Sequence, residues 1–162
     1  MRRFRGESGA NAVEFALVLP ILLILVMGML WGGLAFNRQL SLTQSAREGA
    51  RFGATLPYPA DSDWLDDVEE RVRTSIIGQF GYDDEARVCV RAFGGDPLVL
   101  LDSQVSGPAD ASDPSCSDPT PRVAMPHVEV WVANPATFDY VFGGGTIRLR
   151  AEAVARHEGI DE

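Results

Sequence analysis

The chain has no lysine, so the positive charge of its 162 residues rests on 14 arginines against 23 acidic residues, a net charge of −9. The missing lysine reads as a bias of genome composition. Without clustered basic residues, an acidic chain is a poor match for nucleic acid, whose binding depends on phosphate contacts from Lys and Arg. Histidine and cysteine are equally scarce, two of each, and too far apart for metal-ligand spacing. His127 and Glu129 form H-x-E, but the P-C-x-x-C partner of a zinc deaminase is absent. "DSDWLDDVEE" clusters carboxylates without the glycine and spacing of a calcium loop, and reads as a solvated helix start. "GESGA" is not G-x-S-x-G, and no glycine-rich phosphate loop follows a strand. There is no internal repeat. Nothing in this pattern points to catalysis, a metal or a cofactor, so the expectation is a protein that is not an enzyme.

Charge is also absent from one long stretch. Phe15 to Phe36, "FALVLPILLILVMGMLWGGLAF", is 22 residues without an ionisable side chain, enough to cross a hydrocarbon core as a helix. Before it stand Arg2, Arg3 and Arg5 against Glu7 and Glu14, a net +1, which leaves −10 for residues 37–162. A basic leader and an acidic body predict the N-terminus inside and the body outside a membrane. A removed secretory signal would have a shorter apolar region and a small-residue cleavage site. "RRFR" lacks the flanking pattern of a twin-arginine signal.

The apolar run continues without a turn signal into "NRQLSLTQSAREGARFGA", which predicts one helix from residue 10 to about 54, ended by Pro57 and Pro59. Pro20 inside it lacks the amide that would bond to Ala16, so a kink or local loosening is expected. Gly28 and Gly32 form a GxxxG, and Ser45, Gly49 and Gly53 recur at every fourth residue, beside Ala46, Ala50 and Ala54. Such faces allow close helix packing, either within an assembly or, for the second stripe, against the chain's own domain.

In the body, Leu65, Val68, Val72 and Ile76 recur at helical spacing; Asp61, Ser62 or Asp63 can cap that helix, and Gly78 can close it. Segments 86–93, 127–134 and 146–156 read as strands, and their alternation suggests a sheet with one buried face. Residues 94–126, rich in Gly, Pro, Ser and Asp, read as a long surface loop in which "LVLL" packs or adds a short strand. "FGGGT" reads as a turn. The two cysteines fall in the first strand and in the loop. If the body is exported, a Cys89–Cys116 bridge would tie loop to sheet and contribute on the order of 3 kcal/mol; in a cytosolic domain they would be free thiols.

"GANAVEFALVLPILLILVMGMLWGG", joined to a basic leader and to the later "SAREGARFGA", resembles the TadE-like minor pseudopilins of the tight-adherence (Flp, type IVc) pilus. The ending "IRLRAEAVAR" resembles them weakly. The resemblance implies an α+β fold: a long N-terminal transmembrane helix, residues 10–54 and membrane-spanning over about 15–36, leading into a pilin-like domain. That domain, 55–162, would hold a second helix and a three- to four-stranded antiparallel sheet outside the cytoplasmic membrane. It implies that a prepilin peptidase removes residues 1–9 by cutting between Gly9 and Ala10, where a β-carbon at the first position would obstruct the cleft. It further implies that Glu14, followed by Phe15, meets the free α-amine of a neighbouring subunit. Glu14 would otherwise snorkel to the membrane surface. The implied partners are the peptidase, other minor pilins, the major pilin and the inner-membrane assembly platform, and the resemblance extends to incorporation in the extracellular pilus. Two other readings stay open: an unprocessed single-pass protein whose acidic domain binds an envelope partner, and a secreted hydrolase released near Asn37.

Overall fold

The structure is a computed structural model that describes residues 7–56, 63–80, 85–95, 97–108, 116–140 and 143–157. The arginines of the leader, Pro57, Pro59 and the capping candidates Asp61 and Ser62 lie outside the described residues. Six elements follow in order: α1 (Glu7–Thr55), α2 (Trp64–Phe80), β1 (Arg87–Gly94), β2 (Val99–Ser106), β3 (His127–Tyr140) and β4 (Gly143–Arg156). A long apolar helix, a second helix and a four-stranded antiparallel sheet make the fold α+β, as expected. The chain divides into two compact units, Met1–Phe36 and Asn37–Glu162, so α1 contributes to both. The body therefore begins inside the helix, not after it.

The unit Met1–Phe36 is helical from Glu7, and the helix is unbroken through Pro20. Its side chains from Asn11 to Leu30 are exposed on every side of the helix. A helix apolar all round is stable only where lipid or other protein surrounds it. It is long and apolar enough to cross a bilayer.

The body has a sheet ordered β2-β1-β3-β4 with every pair antiparallel. The period of two places Val88, Val90 and Ala92 of β1, Val128, Val130 and Val132 of β3, and Ala151 and Ala153 of β4 on one face. Against that face lie Leu42, Ala46 and Ala50 of α1 and Leu65, Val68, Val72 and Ile76 of α2, all buried. Full burial of each such Val or Leu contributes about 1.5–3 kcal/mol. Small residues let α1 sit close: a β-carbon on Gly49 would meet Val72 Cγ2 at 2.1 Å, and one on Gly53 would meet Val128 and Val68 methyls at 3.1 Å.

Of the two alternatives for "LVLL", the structure has the strand: Val99, Leu100 and Leu101 open β2 at one edge of the sheet. Three features differ from the sequence expectation. α2 runs two residues past Gly78, to Phe80, so that glycine does not close it. "FGGGT" is largely strand: Gly143, Gly144 and Gly145 pair with Tyr140, Asp139 and Phe138. β3 extends beyond Asn134 through Pro135, which is tolerated because β1 stops pairing at Ala133 and no β1 ladder bond is lost there. After β2 the chain turns at Gly107, whose φ of 89° and 2.2 Å β-carbon approach to the Ala86 carbonyl require glycine.

The largest departure is the second face of the sheet. It is covered as well, and in β1 every residue from Val88 to Gly94 is buried.

Candidate functional site

The residues singled out in the sequence fall into three places, two of them on α1. Gly9 and Ala10 lie in the first turn of α1, where backbone amides have no partner within the helix. Gly9 is exposed, with nothing within 4 Å of a β-carbon built on it, while the Ala10 side chain lies outside the described residues. Glu14 is exposed on the same helix, and Phe15 beside it is 65% exposed. Among the described residues no ion pair is made to Glu14. Gly28 and Gly32 likewise face open space. This stretch combines a glycine with nothing packed over it, a lone carboxylate at the head of an apolar run, and small residues open to close approach.

The second group serves the body. The Ser45 hydroxyl lies 3.1 Å from that of Ser75, and Gly49 and Gly53 seat α1 against α2 and β3. The stripe is thus occupied by the chain's own core, unlike Gly28 and Gly32.

The third group lies on the sheet face away from the helices. Cys89 of β1 and Cys116 form a disulfide with a Cα–Cα distance of 5.7 Å. The bridge holds the chain that leads from Cys116 to His127 over this face, and the two cysteines pack with Trp131 and Ala133. Beneath it are polar side chains. Arg91, Glu129 and His127 are buried, at 5%, 1% and 0% exposure. The Arg91 guanidinium pairs with Glu129 Oε2, donates to the Asp118 carbonyl at 3.1 Å and lies over the Phe93 ring. Glu129 Oε1 accepts from the Arg122 backbone amide at 3.0 Å and sits 2.9 Å from His127 Nε2. His127 Nδ1 donates to the Met125 carbonyl at 2.6 Å, and its ring stacks on Phe93 at 4.8 Å between centroids. Three side chains of the sheet thereby bind three backbone groups of the covering segment, at Asp118, Arg122 and Met125.

The H-x-E pair is a structural lock in this arrangement, its ring and carboxylate directed at each other and at the loop backbone. Sequence reasoning did not find it, since Arg91, His127 and Glu129 alternate with valines as solvent-facing residues would. The available signal was Cys89, which shares their face and whose partner had to bring the loop across it. At the rim, Asp118 Oδ1 accepts the Thr120 amide at 3.0 Å. Hydrogen bonds from the Thr120 backbone and side chain hold the Asp118 carboxyl below its ordinary value. On the far side of β4, His157 is buried and its Nε2 donates to the Leu56 carbonyl at 2.8 Å.

No curated protein and no solved structure matches the chain. Residues 9–51 match the family model described as TadE-like protein. That match begins at the glycine of the open first turn, takes in Glu14 and the whole apolar run, and ends within the stripe that seats α1 on the body. From Gly9 to Arg51 the chain is similar to the TadE-like family.

Proposed function

We infer that the chain is a minor pilin-like subunit that is processed in the cytoplasmic membrane and joins the assembly or initiation of a tight-adherence pilus. The observation that carries this reading is the coincidence of the TadE-like match with a helix whose apolar part is uncovered on all sides and is headed by Gly9, Ala10 and Glu14. Cleavage between Gly9 and Ala10 by a prepilin peptidase would make Glu14 the fifth residue of the mature chain. Its carboxylate would then meet the α-amine of a neighbouring subunit. An ionisable group in a membrane span is costly unless it is paired, and this pairing would set the axial position of a newly added subunit. Gly28 and Gly32 would serve contacts with other minor pilins or the major pilin, and the acidic body would lie outside, reached through the inner-membrane assembly platform. The role is structural, with no catalytic step and no cofactor.

Intact-mass measurement of membrane-extracted protein tests the reading. The mature species should lack residues 1–9, and Gly9→Leu should retain them. An uncleaved wild-type chain would instead support a single-pass protein whose acidic body binds an envelope partner, and a soluble product beginning near Asn37 would support secretion. Glu14→Ala should leave cleavage and insertion intact while piliation fails, because the partner amine is left unpaired, a loss of about 3–5 kcal/mol for a buried pair. Normal piliation by that variant would sink the pairing.

A further inference from the structure

Two short segments of the body carry arginine without acid. Residues 37–47 of α1 and 143–151 of β4 contain no Asp or Glu and carry Arg38, Arg47, Arg148 and Arg150, a charge of +4. The body as a whole is −10, so everything else in it sums to −14. The two segments are fastened together: Gln39 Nε2 donates to the Arg150 carbonyl at 2.5 Å. The β3 residues that pair with this part of β4, Ala133 to Phe138, add no acid, and the first carboxylate along the arm is Asp139, opposite Gly144. Ala151 and Ala153 face the helices, so Arg148 and Arg150 lie on the other face, and positive charge is present on both sides of this sheet edge.

Apolar side chains are exposed in the same zone. Leu40 is 46% exposed and Ile147 39%. Exposed apolar groups interspersed with arginine are what an interfacial surface needs, because insertion and attraction to anionic headgroups then act together. The position along the chain selects the partner. Arg38 follows the uncharged run Phe15–Phe36 by two residues, about 3 Å of helical rise.

We propose that this arginine-bearing edge of the body, Arg38, Leu40, Ile147 and Arg150, rests on the phosphate headgroups of anionic lipid in the leaflet that faces the body. The inference depends on the reading that the apolar run spans a membrane. Each arginine near an anionic surface is worth about 1 kcal/mol, a factor of roughly five in surface affinity, and the attraction decays within a Debye length. The acidic remainder of the body is repelled by the same surface, so one edge faces the lipid.

The test uses the full-length chain in nanodiscs of phosphatidylcholine alone and of phosphatidylcholine containing a minority of phosphatidylglycerol. Amide exchange is followed in peptides covering 37–47 and 143–151, with α2 peptides as the internal control. Exchange in those two segments should slow several-fold in the anionic discs, and high salt should abolish the difference. The combined Arg38→Gln, Arg150→Gln variant should also lose it, while the matching Lys variant keeps it; unchanged α2 exchange shows that each remains folded. Equal exchange in both kinds of disc, with the protein incorporated, overturns the proposal, as does a difference that survives in the Gln variant. Failure of the chain to enter either disc overturns the membrane reading, and this inference with it.

Discussion

On one face of the sheet Val88, Val90, Val128 and Val130 meet two helices; on the other, Arg91, His127 and Glu129 meet the backbone of a covering segment. Both faces are buried, and the forces that bury them differ in kind. The helical face depends on area removed from water, which is non-directional and tolerant of small shifts. The loop face depends on an ion pair, directed hydrogen bonds and a covalent bridge, each of which fails as a unit. The covering segment is short, with three prolines among residues 117–126, and has little apolar surface of its own to offer. It is held instead by what the strands present to its amides and carbonyls.

The sharpest way to break this comparison is Glu129→Ala. It leaves the buried Arg91 guanidinium without its counter-charge, and the expected loss is about 3–5 kcal/mol in urea unfolding. Replacing both charges, Arg91→Met with Glu129→Leu, should lose less than the single variant, because no uncompensated charge stays buried. Wild-type stability in Glu129→Ala would mean that the loop face contributes nothing.

Removing the bridge with Cys89→Ser and Cys116→Ser comes next. The closed loop, with a sequence separation of 27, predicts a loss of about 3–4 kcal/mol. Amide exchange should rise in 117–126 and stay unchanged in α2. Equal acceleration in both regions would show that the two faces are not separable. On the helical face, Gly49→Ala sets overpacking against Val72, about 1–3 kcal/mol, against roughly 1 kcal/mol of gained helix propensity. A net loss of up to about 2 kcal/mol in the unfolding midpoint is expected, whereas Gly28→Ala, with open space around it, should not destabilise the chain.

The smallest effect belongs to Asp118. Its folded value lies below the ordinary 3.8, so its contribution is fully present above that pH and is lost as pH falls through the depressed folded value. An NMR titration should show the Asp118 carboxyl protonating later than an unstructured aspartate on acidification. Asp118→Asn, which keeps an acceptor for the Thr120 amide, should flatten that part of the acid-unfolding curve. A titration at the ordinary value would remove Asp118 from the account.

How much of this was legible follows the same division. α1, α2, β1, β3 and β4 were readable because their burial is written as periodicity: Leu65, Val68, Val72 and Ile76 at helical spacing, alternating valines at 88–90 and 128–132. The TadE-like segment was readable because its signal is local, a glycine, a glutamate and an apolar run at fixed spacing. The loop face was not, because Arg91 and Glu129 are 38 residues apart and their burial depends on a segment with no period at all. "LVLLDSQVS" was legible only in its first residues, since an edge strand half exposed on both faces loses the alternation that marks a strand. The three glycines at 143–145 resemble a turn by composition, yet pairing with β3 decides their state.

The small-residue stripe of α1 has a mechanical consequence. A pull applied along the helix at Asn37 loads the contact of Ser45, Gly49 and Gly53 with α2 and β3 in shear, so that all the contacts must slip together. Intermediate positions bring a larger side chain against Val72, where even a methyl on Gly49 would collide. The seat is therefore specific to glycine at these positions, and a pull that moves the helix must break the contacts at Gly49 and Gly53 together.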